Sequence, residues 1–147
     1  MAEGKIMAIR VQNLTTLEWF EWNFGQGWTK TPVAEVGTAI YIAAYVQNVG
    51  LQGVLTLEIH RGVTTIATKQ EDVLQQGSMG IETSVNGANP ILYGTTAFSV
   101  VVSPAGDTIN FTVYTPDDLP QTTLPLILFV LIALAVLLVF AASGRRR

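Results

Sequence analysis

The chain has 147 residues, no cysteine, and a formal charge of −3 from 8 basic and 11 acidic side chains. Three of the basic residues are the last three, Arg145, Arg146 and Arg147, so the remainder carries −6 and lacks the basic footprint that nucleic-acid binding requires. Without cysteine there is no disulfide, no thiol chemistry and no cysteine metal site.

The first residues, MAEGKIMAIRVQNLTTLEW, hold no continuous apolar stretch of the roughly 7–15 residues that a secretion signal needs, so no signal peptide is expected. Residues 5–12 alternate, with Met7, Ile9 and Val11 on one face together with Lys5, and predict an edge strand. Residues 17–28, LEWFEWNFGQGW, concentrate Trp19, Phe20, Trp22, Phe24 and Trp28 around a turn expected at Gly25-Gln26-Gly27. These rings either fill the core or mark a partner-binding surface, since large exposed aromatics dominate interfaces. Alternation groups Phe20, Trp22 and Phe24 and sets Trp19 opposite, so at least one Trp is expected outside.

The clearest strand comes next. Ile40, Ile42, Ala44 and Val46 point one way, while Tyr41, Ala43, Tyr45 and Gln47 point the other, and Asn48-Val49-Gly50 ends the run. The outward row of Tyr41 and Tyr45 is a second candidate partner surface. In 54–60, Leu55, Leu57 and Ile59 face inward. Arg61-Gly62 turns the chain into a Thr-rich strand from Val63 to Lys69, and Gln75-Gln76-Gly77-Ser78 forms a loop. In 79–85, Met79, Ile81, Thr83 and Val85 share a face, and 86–90 is dense in turn residues. A hairpin closes the series: 95–102 with Phe98, Val100 and Val102 inward, a turn at 103–107, and 108–114 with Ile109, Phe111 and Val113 inward.

Seven or eight short strands at regular spacing, with no helical period among them, predict an all-β antiparallel immunoglobulin-like sandwich over residues 1–114. Residues 115–123, TPDDLPQTT, form a short polar linker stiffened by Pro116 and Pro120, which holds the sandwich close to the next segment. That segment, residues 124–142, reads LPLILFVLIALAVLLVFAA and carries no charge. A helix rising about 1.5 Å per residue needs roughly 20 apolar residues to cross about 30 Å of hydrocarbon, so this run predicts one C-terminal transmembrane helix. A buried core helix is the alternative, but such helices are rarely apolar on every face. Leu124, Leu126, Phe129, Leu134, Leu138 and Phe140 are the expected lipid-facing residues. Residues 143–147 form a cationic tail suited to lipid headgroups or to nucleic acid behind the membrane.

The stretch from Val36 to Tyr114 resembles the immunoglobulin-like adhesion modules of archaea and bacteria known as CARDB. The resemblance is carried by Val36-Gly37, the strand and Asn-x-Gly turn from Tyr45 to Gly50, the apolar strand Val54 to Ile59, the Arg61-Gly62 turn, Gly77, and the closing hairpin from Phe98 to Val113. It implies a surface-exposed sandwich used for adhesion or assembly, without catalysis. The aromatic segment from Trp19 to Trp28 has no counterpart in that pattern.

No catalytic grouping is expected. His60 is the sole histidine and lacks ligand partners at metal-binding spacing. Asp117-Asp118 and Glu71-Asp72 read as solvated turn and surface residues. Asn13-Leu14-Thr15 and Asn110-Phe111-Thr112 are glycosylation sequons. The sequence therefore predicts no enzyme, metal, cofactor or small-molecule substrate. It predicts a structural membrane protein whose partners are a lipid bilayer and other protein copies or shell proteins. Arginines after a span favour the cytoplasmic side, whereas a domain without a signal has no evident route outward. A virion with an internal membrane resolves this conflict: the sandwich faces the capsid and the arginines face packaged nucleic acid. A cell-surface adhesion or receptor module anchored by its C-terminal helix is the alternative.

Overall fold

A computed structural model describes residues 1–84, 89–120 and 134–139 of the chain. Within them lie nine strands: β1 (Gly4–Asn13), β2 (Trp19–Asn23), β3 (Gly27–Trp28), β4 (Ile40–Asn48), β5 (Gly53–Arg61), β6 (Thr64–Val73), β7 (Ser78–Glu82), β8 (Thr96–Ser103) and β9 (Thr108–Val113). They form two antiparallel sheets, ordered β3-β2-β1-β4-β7 and β6-β5-β8-β9. The expected all-β sandwich is present. The strand total exceeds the expected seven or eight.

One core lies between the sheets. The first contributes Ile9, Val11, Phe20, Ile40, Ile42, Ala44, Val46, Met79 and Ile81, and the second Leu55, Leu57, Ile59, Phe98, Val100, Val102, Phe111 and Val113. Each fully buried aliphatic or Phe side chain contributes roughly 1.5–3 kcal/mol through removal from water. Alternation correctly orients β4, β5 and β8, because each carries its apolar residues at period two.

β1 departs from expectation twice. It is a central strand, flanked by β2 and β4, because the 17–28 hairpin pairs along its free side. A bulge between Ile6 and Ala8 also reverses its alternation. Ile6, Ile9 and Val11 are buried, while Met7 and Lys5 stay outside. The two sheets meet closely at the start of β1, where Gly4 pairs with Gly106 of the β8–β9 turn. A Cβ on Gly4 would overlap the Val102 side chain. Glycine permits that approach.

The linker begins as an ordered 3-10 turn, Pro116–Asp118. Asp118 Oδ2 accepts hydrogen bonds from Thr95 Oγ1 at 2.8 Å and Thr115 Oγ1 at 3.1 Å, tying the chain's exit to the start of β8. Residues 134–139 are helical and include Leu134 and Leu138. The remainder of the expected span, with Leu124, Leu126, Phe129 and Phe140, lies outside the described residues, as do 121–123, Val85 and Arg145, Arg146 and Arg147. Among the described residues, no helix is long and apolar enough to cross a membrane.

Candidate interaction surface

The aromatic segment divides between the two sides of the first sheet. Register with β1 decides which ring goes where: Phe20 lies opposite Val11 and Trp22 opposite Ile9, so both turn inward. Phe20 is 2% exposed and belongs to the core. Trp22 and Trp28 face each other across the β2–β3 pair and pack against that core, Trp28 with its ring centroid 5.4 Å from that of Phe111. The expected grouping of Phe20 with Trp22 is present, but Phe20 is not available to a partner. Phe24 leaves the group because it sits in the turn, exposed, with Lys5 Nζ 3.7 Å above its ring. That cation–π contact is a local one at the hairpin tip.

Trp19 alone faces outward from β2. Its partner in the register is Gln12, whose other neighbour is Tyr41. The Trp19 and Tyr41 rings meet edge to face, centroids 5.8 Å apart at 85°. Tyr45 stands four residues along β4 on the same face, with the Arg10 guanidinium 5.8 Å from its ring centroid. Arg10 is ion-paired to Glu21 across the β1–β2 pair. The outer face of the first sheet thus presents Trp19, Tyr41 and Tyr45 among Arg10, Glu21 and Gln12. Trp19 is 45% and Tyr45 44% exposed.

Toward β7 this face drops into a groove of about 420 Å³, bounded by Tyr41, Tyr45, Gly80 and Glu82 and, on β6, by Thr68 and Lys69. Gly80 pairs with Tyr45, and a Cβ there would press on the ring at 3.3 Å. The glycine thus accommodates the close approach of the Tyr45 ring to β7.

Tyr41 Oη donates a hydrogen bond of 2.5 Å to Glu82 Oε2. Burial raises the phenol pKa above its ordinary 10.0, and the hydrogen bond to Glu82 and the charge of that carboxylate raise it further. The folded state therefore holds this proton more tightly than the unfolded chain. The resulting stability is fully present below the ordinary phenol pKa and is lost as pH rises through and beyond it. Tyr41→Phe is expected to flatten the decline in urea midpoint between about pH 9 and pH 11. An equal decline in both proteins would remove Tyr41 as its source.

The remaining candidates occupy local roles. His60 Nε2 lies 2.7 Å from Glu58 Oε2, and Lys69 pairs with Glu71 at 3.6 Å. Among the described residues, no group of three or more His, Asp or Glu is arranged to hold a metal. The Asn13 side chain is buried and accepts from the Thr15 and Thr16 amides, so its turn already uses it, whereas Asn110 is exposed on β9.

Fold and surface together define an all-β, two-sheet antiparallel sandwich, compatible with an immunoglobulin-like arrangement, with an aromatic face on its five-stranded sheet. No protein-family profile matches the chain, and no curated protein matches it.

Proposed function

We propose that this protein is a non-enzymatic structural element that ties a protein layer to a lipid bilayer. The observation that carries the reading is the uncharged run of 19 residues from Leu124 to Ala142, followed after Ser143-Gly144 by Arg145, Arg146 and Arg147. Such a run partitions into hydrocarbon, and the arginines hold its far end at an anionic surface. The sandwich supplies the protein-facing part. Trp19, Tyr41 and Tyr45 form an amphipathic aromatic patch of the type that anchors protein interfaces.

The setting that accommodates both halves is a virion with an internal membrane. There the sandwich meets the capsid or further copies of itself, the apolar run crosses the lipid, and the arginines lie against packaged nucleic acid. The acidic remainder of the chain, at −6, keeps the sandwich itself off the polyanion. The CARDB-like turn pattern from Val36 to Tyr114 favours a second reading, a cell-surface adhesion module. The two share an anchor and differ in what the aromatic face touches.

Site-specific photo-cross-linking distinguishes them. A benzoylphenylalanine at position 45 is expected to capture a protein partner within intact particles, while one at position 110, on the second sheet, captures little. Equal yields from both positions would dismiss the aromatic face as the contact. Capture only after exposure of intact cells to a foreign surface would favour adhesion.

A further inference from the structure

The chain leaves the sandwich at one defined end, and the loops gathered there carry an apolar rim. Strand direction identifies that end. β9 finishes at Val113, opposite Thr96 at the start of β8, and the β5–β6 turn lies beside it through the hydrogen bond from the Gly62 amide to the Ala97 carbonyl. In the first sheet β1 finishes and β4 begins there, since Asn13 pairs with Ile40. The 31–39 segment joins the same end. Val33 bridges Tyr114, Ala39 bridges Ile91, and the Gly37 amide donates to the Leu92 carbonyl.

Six large apolar side chains point into solvent from these loops: Leu17, Val36, Val63, Ile91, Tyr93 and Leu119. Val63 is 100% and Tyr93 74% exposed. Exposed apolar residues are ordinary on a soluble surface, and the opposite end also shows Met1, Leu51 and Leu74 to solvent; what distinguishes this rim is its place around the exit of the chain toward the apolar run.

The exit path fixes how near this rim comes to the apolar run. Asp118 holds Thr95 and Thr115, and Pro120 lines a groove with Trp28, Pro32 and Tyr114, so the backbone is held against the sandwich as far as residue 120. From Pro120 to Leu124 the covalent chain reaches at most about 14 Å, whatever its path. The headgroup layer on each side of the hydrocarbon is roughly 5–8 Å thick. A Leu124 at the hydrocarbon boundary therefore keeps Pro120 within roughly 6–9 Å of the headgroup layer even with the chain fully extended, and any less extended path brings the exit end onto the interface.

We propose that this end of the sandwich is a membrane-docking footprint, with Val63, Tyr93, Leu119 and their neighbours entering the headgroup region of the bilayer that the apolar run occupies. This rests on the anchoring reading above and adds the face that the domain turns to the lipid. The contact is apolar, with Tyr93 placed as aromatic rings are at membrane interfaces, and its partner is the lipid surface itself. The docked domain would then stand upright, with Leu51 and Leu74 at the far end and the Trp19–Tyr45 face directed sideways, free for a protein partner.

The lack of native cysteine makes the test direct. Val63→Cys, Tyr93→Cys, Leu51→Cys and Leu74→Cys each replace an exposed side chain. The full-length variants, labelled with an environment-sensitive fluorophore, are reconstituted into phosphatidylcholine vesicles with or without lipid-borne nitroxide quencher. Labels at 63 and 93 should lose most of their fluorescence to the quencher, and labels at 51 and 74 should keep theirs. Co-flotation of the protein with unquenched labels at 63 and 93, or with equal quenching at all four positions, overturns the footprint while leaving the anchor in place. Failure of the full chain to co-float overturns the anchor and the footprint together.

Discussion

Asn48→Ala is expected to lower folding stability by about 3 kcal/mol or more, a large fraction of the total for a domain of this kind. Asn48 is wholly buried at the end of β4. Its Nδ2 donates to the Leu51 carbonyl at 2.8 Å and the Val73 carbonyl at 2.9 Å. Its Oδ1 accepts from the Glu3 amide at 3.1 Å and the Gly50 amide at 3.0 Å. One side chain thus satisfies the N-terminal segment, the β4–β5 turn and the end of β6. Alanine would leave four backbone groups short of a partner, each costing roughly 1–3 kcal/mol where water cannot replace it. Asn48→Asp is a sharper probe of the same network. It keeps both accepting roles, loses both donating ones, and sets a carboxylate against two carbonyl oxygens. It should be at least as destabilising as alanine. Urea denaturation reads both variants, and a loss below about 1 kcal/mol for either would show that the network is not what closes this end of the sandwich.

The second large effect concerns the apolar run. Leu134→Arg with Leu138→Arg is expected to abolish bilayer association of the full chain. A single arginine at the centre of a spanning helix costs ~2.5–3.5 kcal/mol on insertion scales, and one nearer an end costs less. Together they oppose insertion by roughly 4 kcal/mol or more, a shift of about three orders of magnitude. Both leucines are already exposed in the described helical residues 134–139, so neither substitution removes a contact of the sandwich core. Circular dichroism of the variant should therefore keep the β signature of the native chain.

Much of the sandwich was legible because its strands bury one face each. Period-two alternation is enough to orient β4, β5 and β8, whose inward residues are all buried in the core. The β1 face was not legible. Its bulge at Met7 inserts one residue against β4, and nothing in KIMAIRVQ marks the point where the pleat slips. Its central position was hidden for a related reason: the hairpin that covers its free side is a long-range choice, made by pairing Trp22 with Ile9 and Phe20 with Val11.

The candidate surface was half legible. The outward Tyr41 and Tyr45 emerge from alternation alone. Trp19 could be set apart from Phe20 and Trp22 in the same way, but its contact with Tyr41 depends on β2 and β4 flanking β1 in one register. Glu82, which holds the Tyr41 hydroxyl, lies 41 residues away and carried no local signal. Asn48 showed only as a turn residue in Asn-Val-Gly. Its four-way role needs segments from residues 3 to 73 to converge. Asp118 read as a solvated linker carboxylate and instead fastens the chain's exit to Thr95.

Vesicle flotation of the full-length chain beside the Leu134→Arg, Leu138→Arg variant tests the central claim most directly. The native chain should rise with the lipid and stay there in high salt, which screens headgroup contacts but not apolar insertion. The variant should remain in the dense fraction while still folded. A native chain left in the dense fraction, or a variant that floats equally well, would contradict the claim that the apolar run ties this sandwich to a membrane.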